Sequence, residues 1–147
     1  MLRITQSYVI NQTSIKLEEM GFKVIYKDLP HGNRSGVGIK ASLNLMFEHL
    51  FDKSPDIVAI SPDKDILIVE VDHSFKKGLP QKFEVYYLNR DKLIKDISKI
   101  YGAQLNKIIF GFAITKKSCP KININNYPFY VFYLNNNSNM EYVVYDN

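Results

Sequence analysis

Residues 54–77 read SPDIVAISPDKDILIVEVDHSFKK. Two apolar, β-branched runs flank the group Pro62-Asp63-Lys64-Asp65, whose residues favour a turn, so the runs form a hairpin with its turn at 61–65. Neither run alternates with polar residues, which predicts strands covered on both faces. Yet Asp56 opens the first run, and Glu70 and Asp72 close the second. Counting outward from a turn centred near Asp63, Asp56 lies seven residues back and Glu70 seven forward, so the hairpin places them side by side. Glu70 and Asp72, two apart, project to one face of their strand, and Val71 projects to the other. Carboxylates are costly to bury unless something pairs with them. Three in one small volume repel each other unless a cation lies between them, and hard oxygen ligands with water suit Mg²⁺ or Mn²⁺. The alternative is a strand-end cluster that faces water.

The surrounding chain predicts an α/β fold. Val9, Ile10, Thr13, Leu17 and Met20 have roughly helical spacing over 5–20, and Gly21 ends that helix. The alternation in FKVIYKDL (22–29) reads as a strand. PHGNRSGVG (30–38) is a glycine-rich loop. Leu43, Met46, Phe47, Leu50 and Phe51 form one helical stripe, with Ser42 as its N-cap and Glu48 off the stripe. KFEVYYL (82–88) reads as a further strand. Leu93, Ile94, Ile97, Ile100, Tyr101 and Leu105 make a second strong helical stripe. KIIFGFAIT and FYVFYL are two more strands, and the chain closes in a hairpin through an Asn-rich turn or in a fraying strand. Helices interleaved with apolar strands imply a mixed sheet flanked by helices.

The 147 residues suit one domain, 1–147, and 46% apolar against 23% charged residues is an ordinary globular balance. No run of apolar residues is long enough for a membrane span. The opening MLRITQSYVINQTS turns polar too early for a signal peptide. The single cysteine, Cys119, excludes an intramolecular disulfide and offers no metal cluster. A cytoplasmic protein is expected. His31, His49 and His73 lack metal-ligand spacing. Net charge is +4, with cationic groups gathered in HGNRSGVGIK, HSFKKGLPQK and TKKSCPK, which suits a phosphate backbone or ordinary solubility. GNRSGVGIKAS lacks the Walker spacing, but Arg34 and Lys40 beside a helix N-terminus are suited to a DNA phosphate.

Pro55-Asp56 followed by Glu70-Val71-Asp72, with a helix and strand before and a helix and strand after, resembles the PD-(D/E)xK nuclease superfamily. GFKVIYKD ahead of PDIVAI is similar to the archaeal Holliday-junction resolvases of that superfamily. The likeness covers residues 5 to about 115, with the helix at 42–51 as an insertion. It implies a restriction-endonuclease-like mixed β-sheet flanked by α-helices, and a metal-dependent DNA endonuclease of resolvase, restriction or repair type. Asp56, Glu70 and Asp72 would be catalytic, and Asp56, Glu70 and the Val71 carbonyl would hold Mg²⁺ or Mn²⁺. Arg34, Lys40, Lys76 and Lys77 would meet DNA, and Glu19, Glu48 and Gln104 would be accessory. A homodimer, paired through the last strands, is expected, as in nucleases that cut both DNA strands.

One position departs from the pattern. Asp72 stands where the superfamily has its lysine, so the lysine is either displaced, with Lys76, Lys77, Lys95 and Lys99 as candidates, or dispensable, or the site is inactive. A catalytically inactive protein of the same fold, acting in nucleic-acid binding or assembly, is the competing expectation. An unrelated small α/β protein with surface acids is the third.

Overall fold

The computed structural model describes residues 5–29, 38–72, 79–115, 129–135, 137 and 139–145. Four helices and a six-stranded mixed sheet make up these residues, an α/β architecture. The first helix, α1 (Gln6–Glu19), starts where the Thr5 side chain accepts the Tyr8 amide at 3.1 Å, and it ends in Met20 and Gly21. Strand β1 (Lys23–Lys27) follows.

Helix α2 (Ile39–Phe51) begins three residues before the expected Ser42. Gly38 takes a backbone angle of φ +100 that side-chain-bearing residues rarely adopt, and this swings the chain into the helix early. The Ser42 amide already donates to the Gly38 carbonyl at 3.1 Å, so Ser42 lies inside the helix and does not cap it.

Strands β2 (Ile57–Ile60) and β3 (Ile66–Asp72) form the expected hairpin. The pairs Ile57–Val69 and Ile60–Ile66 set a register that, carried one step outward, puts Asp56 opposite Glu70. Both strands are buried along almost their whole length. Ser61 closes the turn: its amide donates to the Asp65 carbonyl and its hydroxyl accepts the Asp65 amide, both at 2.9 Å.

The segment KFEVYYL is a helix and not a strand. It belongs to α3 (Leu79–Leu88), joined through Asn89 to α4 (Arg90–Tyr101). Phe83 and Tyr86, three apart, are buried, whereas Val85, Tyr87 and Leu88 are exposed. A strand would have put Phe83, Val85 and Tyr87 on one face, but burial follows the helical period.

Strands β4 (Ile108–Ile114), β5 (Phe129–Leu134) and β6 (Met140–Tyr145) complete the sheet, in the order β1-β2-β3-β4-β5-β6. The β3–β4 and β4–β5 pairs are parallel; the other three are antiparallel. The Asn-rich turn between β5 and β6 is held by Asn135, whose Oδ1 accepts the Asn137 and Asn139 amides at 2.9 and 3.0 Å.

The sheet has a core on each face. Ile66 and Ile68 point toward α2, α3 and α4, with Phe47, Phe83, Tyr86, Leu93 and Ile97. Leu67, Val69 and Val71 point toward α1, with Val9, Ile10 and Leu17. By the two-residue period, Glu70 and Asp72 continue the Ile66–Ile68 row and face the three-helix layer. No helix among the described residues is long and apolar enough to cross a membrane.

Candidate active site

The end of the hairpin opposite its turn opens into a pocket of about 450 Å³. Six carboxylate residues line it: Asp28, Glu48, Asp52, Asp56, Glu70 and Asp72. They are accompanied by Lys53, Lys82, Asn44, Ser54 and Val71. A chain of net charge +4 thus gathers six acids against two ammonium groups at one spot.

Asp56 is fixed by the sheet itself. Its Oδ2 accepts the Val71 amide at 2.7 Å, and its own carbonyl accepts the Asp28 amide at 2.8 Å. The side chain therefore continues the β2–β3 ladder by one rung where the β2 backbone leaves it. Burial raises the Asp56 pKa above the usual carboxylate range, and the Val71 amide, the Lys82 charge and a hydrogen bond with Glu70 act against that rise.

Glu70 is only 4% exposed. Lys82 Nζ lies 3.0 Å from its Oε2, and the Tyr86 hydroxyl donates to its Oε1 at 3.3 Å. Burial, and next the charge of Asp56, push its pKa up to about 8 despite these two partners. The Tyr86 hydroxyl is itself raised, by burial first and then by Glu70. Two carboxyls in contact that both resist ionisation form a pair short of positive charge. Asp56, Glu70 and the Val71 carbonyl are the oxygen donors here that could hold a divalent cation. Gln6 Nε2 approaches that carbonyl at 3.5 Å.

Asp72 lines the same pocket on the same side of β3 as Glu70. The expected convergence of three acids on one point is not formed: among the described residues no three His, Cys, Asp or Glu side chains stand close enough to hold one metal. Asp72 lies one pleat repeat beyond Glu70, about 7 Å along the strand, which leaves Asp56 and Glu70 as the pair in contact.

Of the accessory residues, Glu48 is at the site. It lines the pocket and accepts from Asn44 Nδ2 at 3.3 Å; Asn44 in turn accepts from the Tyr26 and Ser54 hydroxyls. Glu19 and Gln104 lie at the other end of the sheet. Glu19 ends α1 just before Gly21, which abuts Pro62 of the hairpin turn, and it pairs with Lys16 at 3.9 Å. Gln104 donates to the Leu105 carbonyl and borders a separate depression with Lys95 and Lys99. That depression is near Asn106, whose amide donates to the Lys64 carbonyl in the turn. Lys95 and Lys99, two of the candidates for a displaced lysine, thus line a different depression from the acidic pocket. Lys40, half-buried in the first turn of α2, does not line the acidic pocket. Arg34, Lys76, Lys77, His31, His73 and Cys119 lie outside the described residues.

Lys82 and Tyr86 escaped sequence reading. They are four apart, so one face of a helix presents both to Glu70; read as a strand, the segment gave no such pairing. The burial-ready pair Phe83 and Tyr86, three apart, was the signal for the helix.

No protein family, curated protein or solved structure matches the chain.

Proposed function

We propose that this chain is a metal-dependent DNA endonuclease of restriction-endonuclease-like fold, with Asp56 and Glu70 as its paired acids and Lys82 in the role of the motif lysine. The observation that carries this reading is the Glu70 carboxyl, buried in contact with Asp56 at the end of a hairpin and gripped by Lys82 from α3. It supports the resemblance to PD-(D/E)xK nucleases at the one position where the sequence departs from it: the strand offers Asp72, and a lysine arrives from the neighbouring helix.

The donors fit magnesium or manganese. Mg²⁺ is commonly held by one or two carboxylates with waters and substrate phosphate, so two acids and a carbonyl suffice. A cation bound there supplies polarisation of a phosphoryl oxygen and an acidified water. The chain's own groups do the rest. Asp56 is held in place by the Val71 amide, so its carboxyl keeps one direction. Lys82, more than a third exposed, reaches both Glu70 and the open pocket, where its ammonium neutralises charge on a phosphate. Tyr86 fixes the second oxygen of Glu70. Asp72, at the pocket wall, is placed to take a proton from water.

The test is incubation of the purified protein with duplex, branched and single-stranded DNA in Mg²⁺ or Mn²⁺. Cleavage that Asp56→Ala, Glu70→Ala and Lys82→Ala each remove supports the reading; no cleavage of any substrate in either metal rejects it. The second reading, a nuclease-fold protein that binds nucleic acid without cutting, is favoured by the Lys82–Glu70 contact at 3.0 Å, which neutralises the buried acid with no added ion. DNA binding that weakens with salt, without cleavage, selects it. A homodimer belongs to the same proposal. The exposed Tyr142 and Val144 on the outermost strand β6 support it, and sedimentation tests it.

A further inference from the structure

Beside the acidic pocket lies a second, half-open trough of about 320 Å³, between the C-terminal end of α2 and the middle of α3. Its walls are Leu50, Phe51, Val85 and Tyr86. Its border with the acidic pocket is shared: Asp52, Lys53 and Lys82 line both. The apolar side is shaped by rings. Phe51 meets Tyr86 edge to face, with centroids 5.1 Å apart, and Tyr86 is anchored through its hydroxyl to Glu70. The floor of the trough is therefore tied to the acid that marks the candidate active site. Val85, on the opposite lip, is 44% exposed.

Apolar and aromatic walls next to ammonium groups match the two halves of a nucleotide. A base has a π-face that packs on aromatic and aliphatic side chains whatever its sequence, and its phosphate seeks cations. The volume is at the low end of small-ligand pockets, about 300–1,000 Å³, which suits one base and not a stacked pair. In continuous duplex every base is stacked and paired, and withdrawing one costs a few kcal/mol, least where the strand is already single. We propose that the trough receives an unstacked base adjoining the phosphate at Lys82, so that the substrate is single-stranded or frayed DNA in preference to continuous duplex. Lys53 and Lys82, on the shared border, hold the phosphate between base and acids. Asp52, on the same border, accepts from an amino group on the base edge.

This inference rests on the nuclease reading for its phosphate site, and its test is arranged to separate the two. Binding is measured in chelator, by fluorescence anisotropy, for a short single strand, for its blunt duplex, and for single strands in which one abasic nucleotide is moved along the chain. Expected are a preference of about tenfold for the single strand and one abasic position that costs about tenfold in affinity. Val85→Gln, at an exposed helix position, should shrink that abasic penalty while leaving duplex binding unchanged. Equal or tighter binding of duplex, an abasic scan with no preferred position, or an unaltered scan in the variant overturns the trough. Cleavage in Mg²⁺ alongside a flat scan rejects the trough and leaves the nuclease reading standing. A positional abasic penalty with no cleavage in either metal rejects the nuclease reading and retains the base site. Failure to bind the single strand in chelator rejects the trough, and absence of cleavage in either metal rejects the nuclease reading.

Discussion

The two ends of the β2–β3 hairpin carry similar residues and treat them in opposite ways. At the turn, Asp63, Lys64 and Asp65 sit in or near water and their polar groups are settled locally. Ser61 closes the turn, Asn106 Nδ2 donates to the Asp63 carbonyl at 2.7 Å, and the Lys64 and Lys23 ammonium groups lie 5.8 and 5.6 Å from the centre of the Tyr101 ring. At the open end, Glu70 is buried and Asp56 half-buried, and they depend on each other, on Lys82, on Tyr86 and on the Val71 amide. Burial beside a second carboxyl separates the open end from the turn, because it raises the pKa of both acids, that of Glu70 to about 8.

The largest expected contrast is in activity. Asp56→Ala or Glu70→Ala, or a chelator, should take DNA cleavage below detection, whereas Asp63→Ala and Lys64→Ala at the other end should cut at the wild-type rate. Gel assays of metal-dependent cleavage settle it; loss of activity in the turn variants would erase the distinction. Asp56→Asn sharpens the test, since its amide oxygen can still accept the Val71 amide and only the charge is lost.

Next in size is the lysine. Lys82→Met should lower the cleavage rate by about 100-fold, the scale seen when one charge-stabilising donor is removed. Lys95→Ala and Lys99→Ala, on the Gln104 side, should change little. Equal effects from all three would mean that Lys82 acts only as general positive charge.

The third contrast is in stability against pH. Glu70 ionises near 4.5 when unfolded and near 8 when folded. A raised carboxyl stabilises the fold fully below the unfolded value, and that contribution is lost as pH rises to the folded one. Urea midpoints of the metal-free protein should therefore fall between about pH 4.5 and pH 8, by at most about 1.4 kcal/mol per pH unit from this group. Glu70→Gln should flatten most of the slope, and Asp65→Asn, in the turn, should leave it in place. The smallest effect belongs to the turn end, where Lys64→Ala removes a cation–ring contact and should cost less than about 1 kcal/mol in thermal or urea unfolding.

Much of this arrangement was legible in the sequence because hairpins obey simple counting. A turn at 61–65 forces Asp56 opposite Glu70, and unbroken β-branched runs forced burial of both strands. Placement along a strand is harder to read. Glu19 ends α1 and Gln104 follows the end of α4, each next to the right strands, but α1 finishes against Pro62 and α4 leads into Asn106 beside Lys64, so both side chains are delivered to the turn end. A helix pattern gives a face to bury; it does not say which end of the sheet each residue will reach. The segment 82–88 hid Lys82 for another reason. Its exposed Val85, Tyr87 and Leu88 crowd the pattern with apolar residues and blur the period of Phe83 and Tyr86.

Gly111 of β4 lies on the α1 face, behind the acids, and the methyl of an alanine there would meet Val69 Cγ2 at 3.0 Å, Leu67 Cδ1 at 3.3 Å and Phe132 Cε2 at 3.5 Å. Val69 immediately precedes Glu70 in the chain. A side chain at 111 would therefore crowd the Val69 and Leu67 side chains of β3, which would have to give by a few tenths of an ångström. The bare backbone at this position lets the two side chains keep their places on the α1 face. A random-substitution screen for lost stability should therefore find hits at this glycine, although it lies on the face of the sheet away from the acids.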